Sequence, residues 1–274
     1  MIYSKTIQRD VTFYGIGLHT SAKCTLKVSP AESGSGFLFR VRDEVAKVDH
    51  TTLQGSNLGT NMLCGSSVVR TVEHLLSALV GLGITDAIIS TNDVETPILD
   101  GSAADFFKEL KSAGVRTTGE HKPKKLDKQL IVSSGGKRVA IYPREDEEVV
   151  VSFSINFDND VVKAMPQSLI YSHSEGNYFE CIAFARTFGF KKDLETLLSN
   201  NLCLGGSLEN AILIDDCRVI NVDGLRFDSE IVSHKILDII GDLSPIFRDY
   251  IGFTIIAEQA GHSINNEFLK QFYS

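Results

Sequence analysis

The sequence has no C-x-x-C pair, no apolar run near the roughly 20 residues that span a bilayer as a helix, and no excess of positive charge. Each absence excludes a class. Five scattered cysteines (Cys24, Cys64, Cys181, Cys203 and Cys217) argue against a disulfide framework and against a cysteine-rich zinc knot, and they fit a reducing compartment. The opening Met1-Ile-Tyr-Ser-Lys-Thr-Ile-Gln-Arg-Asp10 has no apolar leader region, so a cytoplasmic protein that does not span a membrane is expected. With 27 Lys and Arg against 35 Asp and Glu, the net charge of -8 opposes broad attraction to nucleic acid, so an anionic ligand must be met by local cations.

What is present belongs to an ordinary globular chain, with 43% hydrophobic and 23% charged residues. Its 274 residues lie near the size at which one core divides into two. Alternation of Phe37, Phe39 and Val41 with Arg40 and Arg42 predicts a half-buried strand, and Val149 to Phe157 alternates in the same way. Val72 to Val80 reads as a helix buried on most sides and ended by Gly81 and Gly83. Asp86 to Thr91 then reads as a strand and Asp100 to Leu110 as a turn entering a helix.

The second half repeats this order. Glu230 to Ile240 has helical character interrupted by Gly241, Gly252 to Ala257 reads as a strand, and Asn265 to Phe272 as a final helix. Such symmetry fits an ancient duplication, and strands clustered before helices favour α+β over a doubly wound sheet. The expected domains are 1–120 and 129–274, joined by a charged linker over 121–128 that contains Pro123. An extra segment at about 185–220 breaks the symmetry of the second half.

Two polar interruptions of apolar helices stand out. His234 and Asp238, four residues apart, share a helix face with Asp242 one turn on, amid isoleucines and a leucine. An ionised carboxylate there costs several kcal/mol unless a metal, an Arg or several donors compensate it. H-x-x-x-D alone has little specificity, and a satisfied core pair is the plain alternative. Glu73-His74 interrupts the first helix, where an amphipathic edge with Glu73 on Arg70 is the simpler explanation. Together the two sites offer two imidazoles and a carboxylate, an open three-ligand zinc site with Glu73 beside it as a base. Gly261-His262-Ser263 adds an imidazole on an expected loop after a strand.

At these residues the chain closely resembles the UDP-3-O-acyl-N-acetylglucosamine deacetylases of lipid A synthesis. The resemblance runs in order through Thr6-Ile-Gln-Arg9, Gly15-Ile-Gly-Leu-His-Thr20, Asn61-Met-Leu-Cys64, Thr71-Val-Glu-His-Leu75, Ile98-Leu-Asp-Gly-Ser-Ala-Ala104, Ala185-Arg-Thr-Phe-Gly-Phe190, Leu202-Cys-Leu-Gly-Gly-Ser207, Leu225-Arg-Phe227, His234 to Leu243 and Gly261-His-Ser-Ile-Asn-Asn266. It implies two α+β domains of related topology with the active site between them. It also implies one Zn2+ per chain on His74, His234 and Asp238, Glu73 as general base, His262 as catalytic histidine, Asp242 orienting it, and Thr187 as a hydroxyl near the developing oxyanion.

By the same resemblance Phe188 and Lys235 meet the sugar and diphosphate end of the substrate. His19 falls in a matching substrate-binding segment, and Leu194, Cys203, Ser207 and Leu213 line an acyl tunnel. The implied reaction is hydrolysis of the 2-acetamido group of a 3-O-acylated UDP-amino sugar by a monomer, the leaving amine taking its proton from His262 or from Glu73. The rivals are a zinc amidohydrolase of another substrate, such as a peptide, and a non-catalytic nucleotide-sugar-binding module.

Overall fold

In the computed structural model, which describes residues 2–56 and 58–274, each half of the chain builds a five-stranded sheet with the same connectivity. The first sheet runs, in spatial order, Val11–Ile16, Lys23–Ser29, Ala87–Thr91, Phe37–Val41 and Glu44–Lys47. The second runs Leu130–Ser134, Lys137–Pro143, Phe253–Glu258, Val149–Ser154 and Ser168–Ser172. In each, the strand latest in the chain returns to the centre. It lies parallel to the third strand of its half and antiparallel to the second. The α+β reading therefore holds, and identical strand order and direction in the two sheets are what an internal duplication leaves behind.

The alternation seen in the sequence decides which faces are covered. Phe37, Phe39 and Val41 are buried while Arg40 is exposed, and Val149, Val151 and Phe153 are buried in the second sheet. In each half a buried helix precedes the returning strand, Glu73–Gly81 in the first and Glu230–Asp242 in the second. A further helix follows the returning strand, Ala104–Ser112 and His262–Tyr273 respectively. Every residue of the Glu73 helix is buried, as is every residue of the Glu230 helix except Lys235. Helices buried nearly all round need cover on every side, and these two supply much of it by packing on each other.

Gly241 does not interrupt the second of these helices, contrary to expectation. It lies inside the Glu230–Asp242 helix, at the point where a side chain would run into the backbone carbonyl of Glu73. Glycine serves close approach here, and that approach sets the turn bearing Glu73 and His74 against the turn bearing Asp238 and Asp242. In an uncrowded helix interior Gly→Ala stabilises by about 1 kcal/mol. Gly241→Ala should instead destabilise by about 1–3 kcal/mol through overpacking, read as a lower denaturant midpoint, and a raised midpoint would contradict this account of the crossing.

Two appendages distinguish the halves. The first carries a three-stranded sheet, Leu53–Gly55, Thr60–Cys64 and Ser67–Val69, which packs on the His262–Tyr273 helix. The second carries the extra segment, where Phe188–Phe190 pairs in parallel with Ile212–Ile214 around the short helix Leu194–Ser199. Between the halves, Val115–His121 pairs with Ile2–Ile7, and Lys124–Lys125 pairs with Tyr250–Ile251. No helix among the described residues is long and apolar enough to cross a membrane.

Candidate metal centre

The crossing of the two buried helices brings His74, His234 and Asp238 together, one potential ligand atom from each lying within 4.8 Å of the others. All three are buried. The His74 and His234 rings meet edge to face at 5.2 Å between centroids, and His234 Nε2 lies 3.4 Å from Asp238 Oδ1. His234 Nδ1 is 3.0 Å from the carbonyl of Ala185, so Nδ1 carries the proton and Nε2 presents its lone pair to the carboxylate.

The donor set fits a divalent cation on its own chemistry. His74 Nδ1 is buried with no hydrogen-bond partner among the described residues, an arrangement that costs stability unless something coordinates the ring. Burial, and then the neighbouring His234, push the His74 pKa down to about 3, so its imidazole is neutral and able to ligate. Burial lowers His234 as well. Burial opposes the charge on Asp238, but the fields of His234 and Lys235 prevail and hold its carboxyl well below the usual range. Two neutral imidazoles and one carboxylate are a common zinc ligand set.

Beside this group stand a buried carboxylate and a buried imidazole. Glu73 is buried and does not meet Arg70; its Oε2 accepts from the Thr60 amide at 3.0 Å. Burial, reinforced by Asp242 and Asp238 and opposed by His262, pushes its pKa up to about 8. His262 lies on the first turn of the His262–Tyr273 helix, not on the loop expected for it. Its Nδ1 is 2.9 Å from Asp242 Oδ2, and Nε2 points toward Asp238 at 3.8 Å. Burial works against the imidazolium, but Asp242 and Asp238 outweigh it and raise the His262 pKa to about 9.

A cavity of about 760 Å³ opens from this centre. Thr187, Glu73, His74, His234, Asp238 and His262 line its polar end, and Phe188, Leu194, Leu213 and other apolar side chains line the part within the extra segment. Cys203, Ser207 and His19 lie on its wall too, the sulfur of Cys203 3.7 Å from His19 Nδ1. Lys235 reaches the rim but puts Nζ 2.6 Å from Asp238 Oδ2, and the Phe188 ring sits 6.1 Å from that of His234. Cys64 belongs to the core, with Sγ directed at the carbonyl of Phe39.

Several groups that build the site escaped the sequence reading. Glu230, fully buried, holds Arg186 through two carboxylate contacts of 2.8 and 3.1 Å, and so fixes the segment whose Ala185 carbonyl orients His234. Glu95, also buried, accepts from the amides of His19 and Thr20 and from the hydroxyls of Thr20 and Thr71, which fastens the loop that carries His19. Thr60 touches both Glu73 and Asp242. A backbone carbonyl leaves no mark in a sequence, whereas Arg186 lies inside the Ala185–Phe190 motif, where a cation amid apolar residues is a visible signal.

The His-His-Asp group could hold a divalent ion, and the buried carboxylate and imidazole stand close enough to serve water activated there, which is the chemistry of metal-dependent hydrolases. Comparison with known proteins narrows the class. The family model described as LpxC, UDP-3-O-acyl N-acetylglycosamine deacetylase, matches residues 4–274, and the chain belongs to that family. It is 40% identical to the UDP-3-O-acyl-N-acetylglucosamine deacetylase of Teredinibacter turnerae over 99% of this chain and 90% of that protein. Against those of Pseudomonas entomophila and Legionella pneumophila strain Corby the identities are 39% and 40% over the same shares.

Proposed function

We propose that this protein removes the acetyl group from the 2-acetamido nitrogen of a 3-O-acylated UDP-N-acetylglucosamine, with one Zn2+ per chain held by His74, His234 and Asp238. The observation that carries the reading is the His74, His234 and Asp238 group with Glu73 beside it at the polar end of a cavity whose remaining wall is mostly apolar. A long acyl chain would fill such a wall along its length, whereas a peptide side chain would occupy only part of it. Zinc, when bound, supplies a Lewis acid that polarises the amide carbonyl and acidifies water.

The protein's own groups do the rest. Glu73 takes the proton of the attacking water, and the Thr187 hydroxyl donates to the oxygen that becomes the oxyanion as the carbonyl carbon turns tetrahedral. His262, an imidazolium at neutral pH, gives its Nε2 proton to the nitrogen as the carbon–nitrogen bond breaks, so that free amine and acetate leave. Asp242 holds the opposite face of that ring through Nδ1 and stabilises its charge. Phe188 and Lys235 receive the sugar and diphosphate, His19 closes the wall, and Leu194, Cys203, Ser207 and Leu213 receive the acyl chain. The protein acts as a cytoplasmic monomer of two domains, 1–120 and 129–274.

Acetate release measured with UDP-N-acetylglucosamine bearing or lacking a long 3-O-acyl chain tests the substrate assignment. The acylated sugar should turn over far faster, and equal rates would refute the acyl-binding role of the cavity. Leu213→Trp, which fills the cavity away from the metal ligands, should cut kcat/KM on the long-chain substrate at least roughly tenfold, about the worth of one methylene's lost contacts. Zinc content and the rate on a short-chain analogue should hold. Loss on both substrates alike would mean that Leu213 does not face the chain.

A further inference from the structure

We infer that Thr60 is a positioning residue for the reaction, setting Asp242, and through it His262, in one geometry while its backbone sets Glu73. The inference rests on the roles given above to Glu73 and His262. Thr60 is buried, on the strand Thr60–Cys64 of the first half's appended sheet. Its amide donates to Glu73 Oε2 at 3.0 Å, and its carbonyl accepts from the amide of Val72, the residue that leads into the Glu73 helix, at 3.1 Å. Its hydroxyl donates to Asp242 Oδ1 at 2.6 Å. A single residue therefore touches Glu73 and Asp242, the partner of His262, from a part of the chain that supplies none of the three, and its hydroxyl lies 3.5 Å from His262 Nδ1 itself.

The geometry at Asp242 shows what the hydroxyl contributes. Oδ2 is taken by His262 Nδ1 at 2.9 Å and by Asn265 Nδ2 at 2.8 Å, while Oδ1 faces Thr60 and, at 3.2 Å, His262 Nδ1 again. With the hydroxyl gone, Oδ1 keeps only the longer contact, and the carboxylate can turn about its own axis and carry the imidazole with it. A buried charged acceptor is where one neutral donor matters most.

The appended sheet is itself keyed to the helix it steadies. Asn266 Nδ2 donates to the carbonyl of Leu53 at 2.6 Å, Leu53 pairs with Met62 two residues from Thr60, and Gly55 leaves no room for a side chain against the carbonyl of His262. Thr60 thus approaches Asp242 from a scaffold registered on His262. Its spacing to both partners is fixed by backbone, and the hydroxyl is the adjustable contact.

Thr60→Val keeps the shape and the amide and removes only the hydroxyl; Thr60→Ser keeps the hydroxyl. The valine variant should lose kcat by roughly 10–100-fold, the range for a hydrogen bond to a charged group, with KM and zinc content unchanged. The serine variant should recover most of that rate. In an Asp242→Ala background Thr60→Val should cost nothing further, since its route of action is gone. Should the valine variant melt early, Thr60→Ala against Thr60→Ser carries the same comparison. A signal independent of turnover is the Nδ1–H proton of His262 in the NMR spectrum, which should exchange with water faster in Thr60→Val. An active wild type with an equally active valine variant, or a full-sized loss persisting without Asp242, overturns the role of Thr60 alone. A wild type that releases no acetate overturns the deacetylase reading, while the exchange measurement still judges Thr60.

Discussion

His74→Ala and Asp238→Ala should each leave the protein without tightly bound zinc, with acetate release falling to the level of buffer. Both effects follow from the smallness of the ligand set. A catalytic zinc site holds its ion with three protein ligands, and no fourth His, Cys, Asp or Glu among the described residues belongs to the group. Removing His74 takes away an imidazole whose Nδ1 has no other partner, so its absence costs the rest of the protein little beyond a small cavity. Removing Asp238 takes away the only carboxylate of the set and strands the Lys235 ammonium that contacts it. The alanine at 74 should therefore melt nearer the apo wild type than the alanine at 238. Metal analysis after dialysis against a weak chelator, beside the melting curves, checks both. Zinc retained at one per chain in either variant would mean that the ligands lie elsewhere.

Glu73→Gln should keep its zinc and lose turnover by about 10²–10⁴-fold, the usual worth of acid–base catalysis. Loss of metal instead would make Glu73 a ligand. The pH dependence follows from the same pair. Glu73 works when deprotonated, and burial raises its pKa above the ordinary carboxylate value, so the rate declines as pH falls through a midpoint displaced upward. A bound cation draws that midpoint back down without reversing the direction in which the limb runs. His262 works when protonated, and against the pull of burial Asp242 raises its pKa, so the rate declines as pH rises through a midpoint above the ordinary imidazole value. A bell results. His262→Ala should erase the alkaline limb and Glu73→Gln the acid limb, and a flat profile in the wild type would reject the pairing of base and acid.

Much of the fold was legible because burial writes a period into sequence. The strand of Phe37, Phe39 and Val41 and the mostly apolar run from Leu75 to Val80 carry signals that tertiary structure had no reason to override. The repeat was legible from element order, although identical strand order in the two sheets is a property of topology that no local pattern encodes. Gly241 misled because a glycine that ends a helix and one that admits a neighbouring backbone look alike in one dimension. His262 misled for a related reason: Gly261-His262-Ser263 has turn composition, yet the helix starts at His262, where its ring can reach Asp242 across the bundle.

The proposed ligands themselves were marked by polarity inside buried helices, a pattern that burial does not tolerate without compensation. What held them in place was not so marked. Glu95, Glu230 and Thr60 act through contacts with residues 13 to 182 positions away in the chain, and contacts of that separation leave no local periodicity.

The claim on which everything else depends is that His74, brought from the first half of the chain, shares one ion with His234 and Asp238 from the second. Crystals of the zinc-loaded protein, measured on either side of the zinc absorption edge, address it directly. One anomalous peak per chain, roughly 2.0–2.2 Å from a nitrogen of each imidazole and an oxygen of Asp238, is the predicted result. A peak at other residues, or one that His74 does not touch, would contradict it.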